Sequence, residues 1–242
     1  MVHTLKGVVL HHIRYKESSA IVYIYTDLFG RQDYLANSIK GKKAKFRSNL
    51  LQPLSLLEIE AYHKENRELQ RLKEIRNYIP YHSIPVDPYK SSQAMFIAEI
   101  LYKVLREEDP NPDLYDFLEH SLQFLDVAEQ YTVNFHLLFL VQLTRYLGFY
   151  PENQYGENDN LFDMRNGQFV AAVGLHPDFF DQGSSAVLNI MLNTNFESLS
   201  SVKISHEERK KFLDFLMDFY RLHMSGFGKV RSLPVLNEIF LL

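Results

Sequence analysis

Over the first eighty residues, apolar and polar positions alternate in short runs. Beyond about residue 89 the apolar positions recur every three to four residues. Residues 5–15 predict one long strand, with Gly7 at a bulge or a point of close approach. Residues 20–26, 32–38, 54–62 and 68–76 predict four more, divided by polar residues 16–19, the glycine-bearing turn 27–31 and a turn opened by Asn66. Five short antiparallel strands lose their exposed edges most simply by curling into a barrel. Pro80, Pro85 and Pro88 then interrupt both periods.

The helical pattern starts with Ser91 or Ser92 as a cap. Ala94, Ile97, Ala98, Leu101, Val104 and Leu105 form one stripe, ended by Asp109-Pro110. A second stripe runs from Leu114 to Leu125. Residues 133–147 are apolar on nearly every side and predict a buried helix, with Gly148 as its C′ residue and Pro151 preventing re-entry. Residues 152–182 are loop-rich, anchored by Phe162, Phe169 and Val170. Further helices are expected over 183–195, 205–224 and 234–240. The fold class read from the pattern is an all-β N-terminal barrel followed by an all-α C-terminal domain. Its expected limits are 1–80 for the barrel, 81–88 for a linker and 89–242 for the helical part.

Composition narrows the chemistry. The 242 residues contain no cysteine, which removes disulfides, thiolate nucleophiles, iron–sulfur clusters and cysteine-bearing zinc sites. No apolar run is long enough to span a membrane, and the first residues lack the apolar stretch of a signal peptide, so an intracellular, soluble protein is expected. The net charge of −4 conceals an asymmetry. Residues 1–80 hold 14 Lys and Arg against 8 Asp and Glu, whereas the remainder holds 12 against 22. A basic module joined to an acidic one suggests separate partners.

Nucleotide-binding glycine motifs, a nucleophile elbow and HExxH are all absent. His11 and His12, adjacent on a strand, point to opposite faces and cannot ligate together. Asp178 in a loop and Glu208 at a helix start do not form a nuclease centre, and the helix dipole accounts for Glu208. The chain is expected not to be an enzyme.

The strongest functional signal lies between Asn37 and Arg47, where Lys40, Lys42, Lys43, Lys45 and Arg47 occur with no acid. A loop of this kind on a small barrel suits phosphate contact without base reading. Arg14 and Arg31 are weaker candidates for the same role. Tyr15, Tyr23, Tyr34 and Phe46 are either stacking platforms or packing residues.

The segments Gly7-Val8-Val9-Leu10, Arg14-Tyr15-x-Glu17, Thr26-x-x-x-Gly30, Leu51-Gln52-Pro53-Leu54 and Glu68-Leu69 flank that basic loop. Further on come Leu147-Gly148-Phe149-Tyr150-Pro151, Phe162-Asp163-x-Arg165-x-Gly167-x-Phe169, and His223 with Arg231-Ser232-Leu233. In this order they resemble the bacterial RecO recombination-mediator family over almost the whole chain. The resemblance implies that the barrel is an OB-fold, with binding of single- and double-stranded DNA largely on it, and annealing of complementary strands without nucleotide hydrolysis. It also implies work with RecR, which contacts the barrel, and with the acidic C-terminal tail of single-stranded-DNA-binding protein, which meets the helical domain. RecA loading follows indirectly, and the setting is the cytoplasm, at the nucleoid. Arg145 is the candidate for the acidic tail, with an internal salt bridge as its alternative. Many relatives carry a four-cysteine zinc module where residues 153–181 offer only His176, so no zinc and no other cofactor is expected, and Phe162, Phe169 and Val173 are expected to pack the region instead. Two other readings stay open: an RNA-binding OB-fold protein, and a non-catalytic protein-binding adaptor.

Overall fold

The computed structural model describes residues 1–39, 46, 48–64, 66–129 and 132–240. β1 (Val2–Lys16), β2 (Ser19–Thr26), β3 (Gly30–Asn37), β4 (Leu56–Tyr62) and β5 (Leu69–Ile79) close into a barrel in the order β1-β2-β3-β5-β4. β1 closes it because its length serves two partners, β4 along Val2–Val8 and β2 along Gly7–Lys16. The pairing of Asp33–Leu35 with Leu69–Arg71 is parallel, not antiparallel as the sequence pattern suggested. β5 returns antiparallel to β4 and meets β3 across the seam, where no hairpin imposes direction.

β3 alternates between buried and half-buried residues throughout, and β2 does so from Ala20 to Ile24, as expected of a wall with one face in the core. Inside lie Val9, Val22, Ile24, Tyr34, Phe46, Ile59 and Leu72. Gly7 is a point of close approach and not a bulge, since pairing to both neighbours runs through it without a shift. A Cβ there would stand 2.5 Å from Ile24 Cγ2 and 2.9 Å from Ile59 Cδ1.

The connection after β5 is fastened. Asp126 accepts hydrogen bonds from the backbone N–H groups of His82, Ser83 and Ile84, and the buried Lys90 donates to Ser83 Oγ and Asp126 O. Burial pushes the Asp126 carboxyl up, but these donors outweigh it and hold the group below its usual range. α1 (Pro88–Val104) begins earlier than expected. Asp87 is its cap, accepting from Tyr89 N and Lys90 N, because Pro88 at the first position lacks the N–H that a helix start leaves unused. It also stops earlier, at Leu105, because residues beyond it turn to meet the β2–β3 connection. Arg31 N donates to Glu107 O, and a Cβ on Gly30 (φ +58°) would lie 2.5 Å from Asp109 O.

α2 (Pro112–Val127) and the late α6 (Leu233–Ile239) complete this unit, Met1–Val127 with Val230–Leu242. Glu99 on α1 accepts from Arg231 N, Ser232 N and Ser232 Oγ, which anchors the entry to α6.

The second unit, Ala128–Lys229, is built on α3 (Phe135–Tyr146), buried as its composition predicts. Gly148 (φ +82°) lets Phe149 N reach back to Thr144 O, the helix ending expected there. The loop-rich stretch contains β6 (Leu161–Asp163), β7 (Gln168–Val170) and β8 (Phe179–Phe180), ordered β7-β6-β8. Phe162 and Phe169 are buried, but Val173, expected to pack there, is 63% exposed. α4 (Gln182–Leu192) and α5 (His206–His223) follow. Glu208 does more than complement a dipole: Ser205 Oγ accepts from Glu208 N, and Glu208 Oε2 accepts from Ser205 N.

Candidate nucleic-acid interface

Lys40, Lys42, Lys43, Lys45 and Arg47 lie outside the described residues. The other two cations expected at phosphate have different surroundings. Arg31 Nη1 donates to Tyr102 O at 3.0 Å and Leu105 O at 3.1 Å, its guanidinium lies against the rings of Tyr23 and Tyr102, and Nε is 3.8 Å from Asp33. A cation is favoured at the carbonyl end of a helix, so Arg31 ends α1 and is not available as a free phosphate ligand. Arg14 is exposed near the tip of the β1–β2 hairpin, followed by Tyr15, half exposed, and Lys16, whose Nζ sits 5.4 Å from the Tyr15 ring centre.

Of the four aromatic candidates, Tyr34 and Phe46 are core residues. Tyr23 is half-buried against His11 and Tyr102, whereas Tyr15 stays accessible for stacking.

A second cationic group, not singled out from the sequence, surrounds a depression of about 380 Å³ at the β4–β5 end of the barrel. Tyr62, Lys64, Arg67, Arg71 and Lys73 line it together with Leu69, Gln70 and Leu72. Lys64, Arg67 and Arg71 are exposed and, among the described residues, have no acid within ion-pair distance. Lys73 is paired with Glu60 at 2.6 Å, and that hydrogen bond raises its affinity for the proton.

The connecting turn is held from beneath. The buried Gln70 side chain accepts from Lys64 N at 3.0 Å and donates to Lys64 O at 2.8 Å and Arg67 O at 2.7 Å. One amide therefore fixes the backbone that carries both Lys64 and Arg67, while His63 stacks on Phe29 with ring centres 4.0 Å apart. Two signals for this site were present in the chain. Arg71 and Lys73 are spaced for a single face of a strand, and Lys64 and Arg67 fall in its turn. Their intervening glutamates hid them beside the acid-free run. β5 also has an irregular register here, with Ala61 opposite Leu72 and Glu60 opposite Glu74, so Lys73 is the extra residue.

In the second unit, Arg145 is exposed in the last turn of α3, with its guanidinium 4.6 Å from the Tyr150 ring centre. Among the described residues no internal salt bridge holds it. The region 152–182 has donors unsuited to a four-thiolate zinc site. His176 Nε2 is 3.5 Å from Asp163 Oδ2, and Asp163 is already the acceptor for Arg165 N, Asn166 N and Asn166 Nδ2. Among the described residues no three His, Asp or Glu side chains form a group able to hold a metal ion, and no helix is long and apolar enough to cross a membrane.

Comparison with known proteins accounts for both parts of the chain. The family model "Recombination protein O N terminal" matches residues 1–78, and "Recombination protein O C terminal" matches residues 85–234. Among curated relatives, the DNA repair protein RecO of Phocaeicola vulgatus is 40% identical over 234 residues, covering 97% of each chain. That of Bacteroides fragilis is 39% identical over 235 residues, again 97% of each, and that of Christiangramia forsetii is 38% identical over 243 residues, 99% of each. With an OB-like closed barrel followed by a helical region, and both family models matched in order, the chain belongs to the RecO family.

Proposed function

We propose that this chain binds single- and double-stranded DNA without regard to sequence and anneals complementary strands, as a recombination mediator in DNA repair. The family places the chain in DNA repair. The observation that carries the finer reading is the cationic depression of Lys64, Arg67 and Arg71 on a turn pinned by Gln70. Guanidinium and ammonium groups on a fixed backbone suit phosphate, and nothing in that arrangement reads base edges. Lys40, Lys42, Lys43, Lys45, Arg47 and Arg14 are assigned to the same polyanion, as further cations of the barrel. Annealing then needs no acid–base residue. Cationic surfaces lower the repulsion between two strands and raise their local concentration, and base pairing supplies the favourable free energy.

The partners assigned are RecR at the barrel and the acidic tail of single-stranded-DNA-binding protein at the helical region. Arg145, exposed at the end of α3, supports the second assignment. RecA is served indirectly, at the nucleoid. No cofactor or catalytic step is assigned.

The test is an annealing assay on bare and protein-coated strands, alongside DNA and RNA affinities at two salt concentrations. Charge reversal by Lys42→Glu with Lys45→Glu is expected to weaken binding to every sequence and flatten its salt dependence, with helical content unchanged. Equal affinity and slope would move the site away from that loop. Preference for RNA over DNA at both salt concentrations would favour an RNA-binding protein instead.

A further inference from the structure

In the second unit, the connection between β7 and β8 carries an apolar tip that the fold leaves in water. Ala171, Ala172, Val173, Gly174 and Leu175 are all exposed, Leu175 completely. Single exposed apolar residues are ordinary, but four apolar side chains within five residues at one tip form a patch. The tip stands on a fixed base. A Cβ on Gly174 would lie 3.6 Å from Phe179 Cζ, and His176 stacks on Phe179 with ring centres 4.6 Å apart. His176 Nε2 lies 3.5 Å from Asp163 Oδ2. On the same unit, between β8 and the last turns of α5, is a depression of about 380 Å³ with apolar walls from Met164, Pro177, Phe179, Phe215 and Leu222. Its charged lining is neutralised in place, because Asp178 pairs with Arg165 and Asp218 with Arg221. Leu175, two residues from Pro177, is fully exposed and leaves this hollow unfilled.

We infer that this face pairs with a second copy of the chain about a two-fold axis, the Leu175 tip of each protomer entering the hollow of the other. A protrusion and a hollow side by side on one surface are what such a contact requires, since each copy then supplies both halves. The hollow is larger than a leucine side chain, and its cancelled charges remove the repulsion that two like-charged faces would feel. A different protein could offer a hollow to the tip or a tip to the hollow, but a second copy necessarily offers both. Two contacts of this size make a weak pair, with Kd on the order of 100 µM. The pairing requires no DNA.

Sedimentation velocity of the full chain over about 10 to 500 µM is expected to show reversible pairing, with a mean mass that rises towards twice the monomer's and no further. Leu175→Asp is expected to raise Kd at least about tenfold, and so is Leu222→Arg, which puts a charge into the hollow. Both side chains are exposed, so the unfolding midpoint should hold in each variant. Mixing the two variants is the decisive arm. One intact tip then meets one intact hollow, and the mixture should associate about three- to tenfold more tightly than either variant alone. Affinity for labelled dT20, a single strand of twenty thymidines, should stay within about twofold in both variants at protein concentrations far below the pairing Kd. A chain that stays monomeric throughout, growth beyond pairs, or a mixture no tighter than its parts would overturn the inference. So would a fall in dT20 affinity that matches the loss of pairing, which would assign this surface to DNA.

Discussion

Arg31 and Arg71 sit on neighbouring strands of one barrel and have opposite fates. Arg31 lies at the turn where β2 meets β3, with two α1 carbonyl oxygens as acceptors and two tyrosine rings against it. Arg71 lies opposite Leu35 on an exposed face and, among the described residues, has no carboxylate beside it. The difference teaches that a cation's partners, not its place in a basic stretch, decide whether it serves the fold or a ligand. One end of the barrel spends its charge internally, and the other leaves it to solvent.

The comparison breaks most sharply at Gly30. Its φ of +58° and the 2.5 Å approach of Asp109 O leave no room for a side chain. Gly30→Ala is expected to cost about 3–4 kcal/mol, combining backbone strain with displacement of residues 107–109. Urea unfolding measures this, and a loss below about 1 kcal/mol would mean that the turn readjusts freely. The largest effect at the other end should spare stability. Arg67→Glu with Arg71→Glu is expected to weaken dT20 binding about 30-fold near 0.1 M salt, roughly 2 kcal/mol, and to flatten the salt slope by about 1.4 for two lost phosphate contacts. An unfolding midpoint unchanged within error completes the contrast with Gly30.

Much of the barrel was legible in the chain because β3 and the middle of β2 alternate residue by residue, and a period of two has one structural meaning when one face is buried. The closing glycine of α3 was legible locally too, as Gly148 stands just before Pro151. Arg31 was not. Its acceptors, Tyr102 and Leu105, are 71 and 74 residues away, and nothing near position 31 signals them. The start of α1 was displaced because Pro88 reads as a breaker until one allows it the first helical position. The cationic depression was missed because its cations are interleaved in the chain with Glu65, Glu68 and Glu74, which made them less conspicuous than the acid-free run before them. Arg145 was singled out from charge on an apolar helix; the structure shows it exposed, and its role is assigned by proposal alone.

A direct exchange of the two roles sharpens the comparison further. Arg31→Ala leaves Tyr102 O and Leu105 O without their cation and is expected to cost about 2 kcal/mol, while dT20 affinity stays within twofold. Arg31→Lys should recover less than half of that loss, because a single ammonium cannot reproduce a planar fork reaching two carbonyls. If instead affinity drops while stability holds, Arg31 belongs with Arg71.

Protonation offers another contrast, between cations that the barrel keeps solvated and a histidine that the second unit keeps neutral. His136 on α3 is wholly buried, and that burial, aided by the Arg209 charge, pushes its pKa down to about 3. Between about pH 6.5 and 3 the unfolded chain takes up a proton that the native state refuses, so stability falls as pH falls. The His136 contribution is expected to be a loss of about 2 kcal/mol from pH 7 to pH 5, and His136→Gln should remove that part of the slope. An identical slope in the variant would assign the acid sensitivity to other groups.

The smallest expected effect tests whether the exposed cations depend on a rigid support, as Arg31 does. Gln70 contributes no charge, yet it holds the backbone at Lys64 and Arg67 through three hydrogen bonds. Gln70→Met keeps the volume in the barrel wall and removes all three. The turn lies at the surface, so water replaces much of what is lost, and the stability cost should be about 1 kcal/mol. A looser turn must then be ordered when DNA binds, which predicts a three- to fivefold weaker affinity. The number of phosphate contacts is unchanged, so the salt slope should be too. That pairing of a weaker constant with an unaltered slope separates positioning from charge. A flattened slope in Gln70→Met would mean that the cations had left the site, and an unchanged affinity would mean that they never needed the turn held.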